Sequence, residues 1–545
     1  MELLDRTVII VCAALIILLL LFLGHRIWTV VQQARLLFCV PGFVVLLHIA
    51  KADIEICLLG LYVGVLLVFG CFFTEKTDVR RRLCIVSMAC VILTFIPCLT
   101  SEAYRKTHYK EEFFDGFSVM KEHYVLSRHK EIKWDELYHT YLVRFEEADA
   151  QKSKQLAWEA WNDFAAEFHD AHVQVVSMKE DEISREKHYK KRAGYDYGFS
   201  LVTMENGDTV FANVDENSDA YKNGVRDGMV VTALDGVPIN RKKEESDIWF
   251  SVFPDKENEK FYQGLAATCL EEESISVEYI DDLKNEKQMT IMQQGNGKER
   301  FKETFRLLAG HHEKKNLTCE MLNEEIAYLV INDMKVSPSV CEENSFEEEE
   351  HYSGLKKRLK KELTKRKAAG AKHLVIDLRD NPGGYLEMSV AVASLFSKEE
   401  SFAAAEGVYN EKTQGYEIIK SVNLEAEDVW GDGEIVILVN TQTTSAAELF
   451  VHFMSKKENV TVMGMTKSTG AAMGTSSYKM DTFELFFPMM LMLDENEQVL
   501  IDSDVSGINR APLDVRIPLD ETAFASIFGE KEDYVLKYAI EYLKD

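Results

Sequence analysis

Leu374-Val375-Ile376-Asp377-Leu378-Arg379-Asp380-Asn381-Pro382-Gly383-Gly384 and, about 65 residues later, Glu434-Ile435-Val436-Ile437-Leu438-Val439-Asn440 followed by Thr441-Gln442-Thr443-Thr444-Ser445-Ala446-Ala447-Glu448-Leu449-Phe450 decide how this chain is read. Each begins as a short, continuous β-branched and aliphatic run, the pattern of a strand buried on both faces. The first run enters a turn where two glycines free the backbone, and exposed N–H groups at such a turn can stabilise an oxyanion. The second enters a loop that opens a helix. Ser445 and Glu448 there fit a capping box, in which serine satisfies orphan helix donors. A serine at a helix N-terminus is also well placed for acyl chemistry, because that helix end favours developing negative charge. From these residues alone, cap and nucleophile stand as equal readings.

Upstream, Ile326–Ile331 reads as another buried strand. Ser345, the acids Glu347–Glu350 and the basic stretch Lys356–Lys367 read as one solvated helix, capped at Ser345 and ordered along its macrodipole. Further back, Tyr197-Gly198-Phe199-Ser200-Leu201 precedes Ser218–Val230 and then Ala233-Leu234-Asp235-Gly236-Val237-Pro238-Ile239. Capping and turn chemistry predict a short helix starting at Ser218, a strand and an Asp-Gly hairpin. From Tyr104 to about His169 apolar residues fall three or four apart, as in Trp134, Leu137, Tyr138, Tyr141 and Leu142, so helices are expected. Asp170-Ala171-His172 closes that region and Val173–Val176 begins a strand.

The first hundred residues differ in kind. Thr7–Gly24, Ile56–Phe73 and Leu83–Leu99 are apolar runs of about 18 residues, long enough to span a bilayer, and Leu36–Ile49 is a shorter fourth. Glu2 and Asp5 speak against a cleaved signal peptide. Lys76 and Arg80–Arg82 before the last run predict a cytoplasmic loop, which puts the rest of the chain on the other side of the membrane. A multi-pass cell-membrane protein with an extracytoplasmic catalytic part, contacting the lipid bilayer through its N-terminal helices, is therefore expected. Net charge is −28; with 8 basic and 6 acidic side chains in residues 1–100, the remainder carries −30. That balance excludes a nucleic-acid partner, which requires clustered Lys and Arg. Cys269, Cys319 and Cys341, the three cysteines beyond the apolar region, form neither a disulfide framework nor a zinc motif.

Taken in order, these segments resemble the S41 family of serine peptidases, the C-terminal-processing or tail-specific proteases. Asp377–Gly384 resembles the family's Asp-Leu-Arg-x-Asn-x-Gly-Gly element and Thr443–Glu448 its nucleophile element. Asp504–Ile508 with Pro512-Leu513-Asp514 resembles a Glu-Gly-x-Gly-Val-x-Pro-Asp element with insertions. Residues 197–239 resemble a PDZ domain, in which the Tyr197-Gly198-Phe199 amides would cradle a peptide carboxylate and the peptide would add as a strand. The resemblance implies Ser445 as nucleophile and Gly383 or Gly384 with Ala446 as oxyanion hole. The C-terminal-processing branch uses a lysine as base, but Ala471 or Ala472 occupies its place and Lys467 comes earlier. Asp170-Ala171-His172 resembles the histidine element of the tricorn-like and retinoid-binding-like branches. His172 is thus the preferred base over Lys467, and Asp504, with Asp502 as competitor, is the candidate to orient it. No metal or organic cofactor is implied, and the expected partner is a polypeptide tail. The expected architecture is multi-domain: a transmembrane region at 1–100, a helical cap at 101–180, a PDZ-like β domain at 190–296 and a crotonase-like α/β protease core at 320–545. The alternative is a catalytically inactive peptide-binding scaffold or sensor.

Overall fold

The structure is a computed structural model and describes residues 108–544, apart from 128, 179–184, 251–255, 311–316, 336–347, 411–414 and 502–510. Three helices come first, α1 (Tyr109–His123), α2 (Trp134–Gln151) and α3 (Lys154–Ala166). Their apolar faces meet in an aromatic cluster: Phe113 stacks on Phe145 with centroids 4.4 Å apart and receives the edges of Trp161 and Phe164. Ser153 caps α3 by accepting the Leu156 N–H at 3.2 Å, the usual N-cap bond. The chain then turns at the buried Asp170 into β1 (Gln174–Ser177) and continues to α4 (Arg185–Ala193).

An antiparallel sheet follows, formed by β2 (Ser200–Thr203), β3 (Thr209–Ala212), β4 (Val230–Leu234), β5 (Val237–Pro238), β6 (Ser274–Ile280) and β7 (Glu286–Met292). Its order is β2-β3-β4-β6-β7, with β5 on β4. Asp235 and Gly236 both have positive φ, as the two-residue hairpin between β4 and β5 requires. The accompanying helices are α5 (Asp219–Lys222), capped by Ser218, then α6 (Ile239–Glu245), α7 (Lys256–Ala267) and α8 (Lys298–Leu308).

The second half contains β8 (Thr318–Met321), β9 (Ile326–Val330), α9 (Glu348–Ala368), β10 (His373–Asp377), α10 (Leu386–Ser394), β11 (Ser401–Asn410), β12 (Gly415–Leu424), β13 (Ile435–Leu438) and α11 (Ala446–Ser455). After these come β14 (Val460–Gly464), β15 (Gly474–Lys479), β16 (Phe483–Leu493), β17 (Val515–Arg516), α12 (Glu521–Phe524) and α13 (Tyr534–Tyr542). One sheet has the order β17-β14-β13-β10-β9-β8, parallel from β17 to β9 with β8 antiparallel at the edge. A second has the order β1-β16-β11-β12, with β15 also on β16. The two runs that open the sequence reading lie side by side: Leu374 pairs with Ile435 and Asp377 with Leu438. Both following loops therefore leave the same carboxyl edge of a parallel sheet, where ligands characteristically bind. Helix α9 is not simply solvated, as its charges suggested. Leu355, Leu359 and Leu363, four residues apart, are buried in the core.

No helix among the described residues is long and apolar enough to cross a membrane. That finding corrects the expected fold class with N-terminal transmembrane helices and the expected multi-pass membrane localisation, neither of which has support here. The spans predicted in residues 1–100, and the bilayer contact assigned to them, lie outside the described residues.

Candidate active site

Ser445 is the N-cap of α11, with φ +61° and ψ −126°. A non-glycine residue at that position stores roughly 1–3 kcal/mol of backbone strain, which the surroundings must impose. They do so densely. The Ser445 N–H is shared between the Ala471 carbonyl at 2.8 Å and the Glu448 carboxylate at 3.1 Å. The capping box expected from Ser445 and Glu448 is formed, and the Glu448 N–H also donates to the Ser445 carbonyl at 2.9 Å.

Gly383 packs directly against this turn. A Cβ there would lie 2.5 Å from the Ser445 Cβ, 2.6 Å from the Thr444 carbonyl oxygen and 2.8 Å from the Ala446 nitrogen, so only glycine fits, and its φ of +86° makes the same demand. Asn381 holds the glycine turn in place: its Oδ1 accepts the Gly383 N–H at 2.9 Å and its Nδ2 donates to the Ile331 carbonyl at 2.8 Å. The Gly383 carbonyl accepts the Met334 N–H, and the Met334 carbonyl accepts the Tyr385 N–H. Among the described residues, the N–H groups of Gly384 and Ala446 donate to no protein acceptor. Of the two glycines named from sequence, Gly384 thus keeps its donor and Gly383 does not.

Asn440 and Thr443 join the two loops. Asn440 exchanges hydrogen bonds with Asp380, and the Thr443 hydroxyl donates to the Leu378 carbonyl at 2.9 Å. The segment Ser468–Ala471 closes the third side. Thr469 bonds to Thr441, Thr443 and Thr444, while Ser468, Gly470 and Ala471 donate to Glu448 at 2.6, 2.6 and 2.9 Å. Glu448 is fully buried. Burial pushes its carboxyl up to about 7, against the pull of its four donors. Ala471 and Ala472, standing where a lysine base was expected, are both buried. The Lys467 ammonium lies 3.7 Å from Glu257 on α7, and its backbone N–H and C=O both bond to the Asn258 side chain, at 3.0 and 3.1 Å.

His172 sits in the turn between α3 and β1. Asp170 organises that turn by accepting the His172 N–H and the Tyr124 hydroxyl, each at 2.9 Å. The His172 Nδ1 is buried with no hydrogen-bond partner, and burial holds the imidazole below its ordinary pKa despite the nearby Asp170 carboxylate. β1 and β15 flank β16 on opposite sides, and β15 continues directly from the segment that bonds Ser445. The sheet therefore connects His172 to the serine loop, although no hydrogen bond joins the two side chains among the described residues. Asp504 and its competitor Asp502 lie outside the described residues.

The Asp-Leu-Arg part of the first motif is a buried ion cluster. Arg379 donates to Asp377 and bidentately to Asp533 at 2.7 Å for each oxygen, and Tyr328 donates to Asp377 at 2.6 Å. It fixes the strand end beneath the glycine turn. Asp533, 154 residues away, carries no local sequence signal.

The Tyr197-Gly198-Phe199 turn is arranged differently. Tyr197 and Phe199 are core side chains, and the Gly198 N–H donates to the Asp196 carboxylate at 2.7 Å. Arg300 pairs with that carboxylate at 2.6 Å. β2 is the sheet edge, but α7 lies on it: a Cβ on Gly264 would fall 2.8 Å from the Val202 carbonyl carbon, and Thr268 Oγ1 accepts the Leu201 N–H at 2.9 Å. The cavity left between this turn, α7 and α8 is about 10 Å³, room for one water and not for a peptide side chain. In this arrangement the edge is closed to an added strand.

Comparison with known proteins agrees with this fold. Residues 325–508 match the model for Peptidase family S41, and the chain carries a domain of that family. A probable CtpA-like serine protease of Staphylococcus haemolyticus is 33% identical over 122 residues, 22% of this chain and 24% of that protein. A carboxyl-terminal-processing protease of Synechocystis is 33% identical over 95 residues, 17% of this chain and 20% of that protein. The similarity thus spans about a quarter or less of these relatives' lengths. Among solved structures, mature CPAF superposes with a TM-score of 0.51 at 11% identity, covering 80% of this chain and 97% of that one, which shows a shared fold.

Proposed function

We propose that this chain is a serine endopeptidase that cleaves extended polypeptide. One observation carries the reading. Ser445 is held in a strained turn at a helix N-terminus, packed against the Gly383-Gly384 turn, and among the described residues the Gly384 and Ala446 N–H groups are unengaged. A sharp, strained turn that exposes a serine at the end of a strand is how other hydrolase folds present a nucleophile. In the proposed reaction Ser445 Oγ attacks the scissile carbonyl carbon, and the hydroxyl proton passes to His172. The N–H groups of Gly384 and Ala446 receive the oxyanion, each worth about 3 kcal/mol in the transition state. The imidazolium then gives its proton to the departing amine, and water releases the acyl group by the same steps in reverse. Burial of His172 suits this role, since a lowered pKa keeps the imidazole neutral and able to accept a proton at neutral pH. Lys467 is a poor alternative, because its ammonium faces Glu257 on α7. Asp504 is proposed to orient the histidine. The 190–296 region is proposed as a domain packed against the catalytic core, its β2 edge covered by α7 instead of by substrate.

The test is turnover of an unstructured peptide by wild type, Ser445→Ala, His172→Ala and Lys467→Ala. The first two variants should lose activity and the third retain it. Loss in Lys467→Ala alone would reassign the base, and full activity in Ser445→Ala would remove the nucleophile. The buried Ala471 in the lysine's place favours one rival, a catalytically silent peptide-binding relative. Folded wild type that turns over no peptide and takes up no serine-directed probe would establish it.

A further inference from the structure

The Ser468–Ala471 segment holds Ser445 through the Ala471 carbonyl and through Glu448, so the serine's position depends on what fixes that segment at its start. There Lys467 turns both of its backbone polar groups toward α7, where Asn258 meets them. The Asn258 Oδ1 accepts the Lys467 N–H at 3.0 Å, and its Nδ2 donates to the Lys467 carbonyl at 3.1 Å. This pairing copies a rung of β-ladder with a side chain across 209 residues of sequence. Asn258 is 2% exposed. The pairing needs one acceptor and one donor on the same planar group, which leaves asparagine or a longer glutamine as the fitting types. One turn further along α7, the buried Tyr262 hydroxyl lies 3.3 Å from Thr441 Oγ1, at the beginning of the serine loop. A single helix thus touches both backbone segments that frame Ser445.

We infer that Asn258 is a positioning residue for the Ser445 reaction, acting through the Lys467 backbone. The inference rests on the reading of Ser445 as nucleophile. An aspartate at 258 keeps the acceptor for the Lys467 N–H and turns a second carboxylate oxygen against the Lys467 carbonyl. The segment must then shift, and displacement of a reacting group by about 1 Å costs on the order of 100-fold in rate.

The experiment compares wild type, Asn258→Asp and Asn258→Ala for turnover of an unstructured peptide, with kcat and KM separated. The rate of fluorophosphonate labelling at Ser445 and thermal unfolding are measured on the same samples. Both variants should stay folded, lose roughly 10- to 100-fold in kcat and in labelling rate, and keep KM within about twofold. Wild-type kcat and labelling in either folded variant would overturn the inference, as would a loss matching only the fall in folded fraction counted by probe stoichiometry. Should Asn258→Asp fail to fold, Asn258→Ala reads the same split. Wild type that is neither labelled nor active would instead remove the serine reading itself, an outcome distinct from failure of the brace.

Discussion

Two glycine turns in this molecule look alike in sequence and behave in opposite ways. At Asn381–Gly384 the chain leaves a buried strand, takes positive φ at Gly383 and Gly384, and presents the Gly384 N–H unengaged near a strained serine. At Tyr195–Phe199 it enters a strand with positive φ at Gly198, but the Gly198 N–H is already taken by Asp196, which Arg300 neutralises. Both turns are built to gather amide donors. In the second the protein supplies its own carboxylate and covers the adjoining strand edge with α7, so the donors become a joint of the fold. In the first, part of the donor set stays open beside the proposed nucleophile, as acyl transfer needs.

The strongest challenge to that contrast is removal of the hydroxyl. Ser445→Ala should cut peptide turnover by about 10⁵- to 10⁶-fold. Ser445→Gly should be equally inactive yet about 1 kcal/mol more stable in chemical denaturation, because glycine relieves the positive φ. Next in size is a methyl group placed in each turn. Gly383→Ala should lower kcat by about 10²- to 10³-fold, since the added Cβ meets the Ser445 Cβ at 2.5 Å. Gly198→Ala, whose Cβ would meet the Ser218 Cβ at 2.2 Å, should destabilise by about 1–3 kcal/mol and leave the kcat of the folded fraction unchanged.

The pH dependence of stability reports on Glu448. Asp196 faces a guanidinium, whereas Glu448 is ringed by hydrogen-bond donors in a fully buried site and is raised to about 7. Between about 4.5 and about 7 the folded chain keeps a proton that the unfolded chain has lost. This contribution is therefore fully present below about 4.5 and is lost as pH rises to about 7, up to about 3 kcal/mol in all. Glu112, also raised to about 7 by burial, acts in the same direction. Urea unfolding at pH 5 and pH 8 should show the decline, and Glu448→Gln should remove about half of it; an unchanged slope in that variant would assign the titration elsewhere. The smallest effect is on substrate ends. A peptide with an amidated C-terminus should be cleaved within about twofold of its free-acid form, because the Gly198 donor is occupied. A tenfold preference for the free acid would show that the second turn opens in solution.

Much of the scaffold was legible in sequence because its signals are local. Strands β10 and β13 follow from unbroken aliphatic runs, the β4–β5 hairpin from Asp235-Gly236, and the start of α5 from Ser218. Ser445 was legible as a residue but ambiguous in role, since a capping box specifies side-chain types and not the positive φ that strains this turn. Pairings across long separations were invisible. Asp533 completes the Arg379 cluster, Asn258 holds Lys467, and Arg300 neutralises Asp196, each joined by folding alone. Charge also misled: the basic and acidic run around α9 reads as solvated, while leucines at every fourth position bury one face of it. The apolar runs of the first hundred residues led to a membrane architecture that the structure does not support.

The central claim is that Ser445 is an activated nucleophile. Intact-mass and peptide-mapping analysis of folded protein after exposure to a fluorophosphonate tests it most directly. One adduct per chain, located on Ser445 and lost in His172→Ala as well as Ser445→Ala, is the predicted result. Wild-type protein that remains unmodified, or that carries its adduct on another serine, would contradict it.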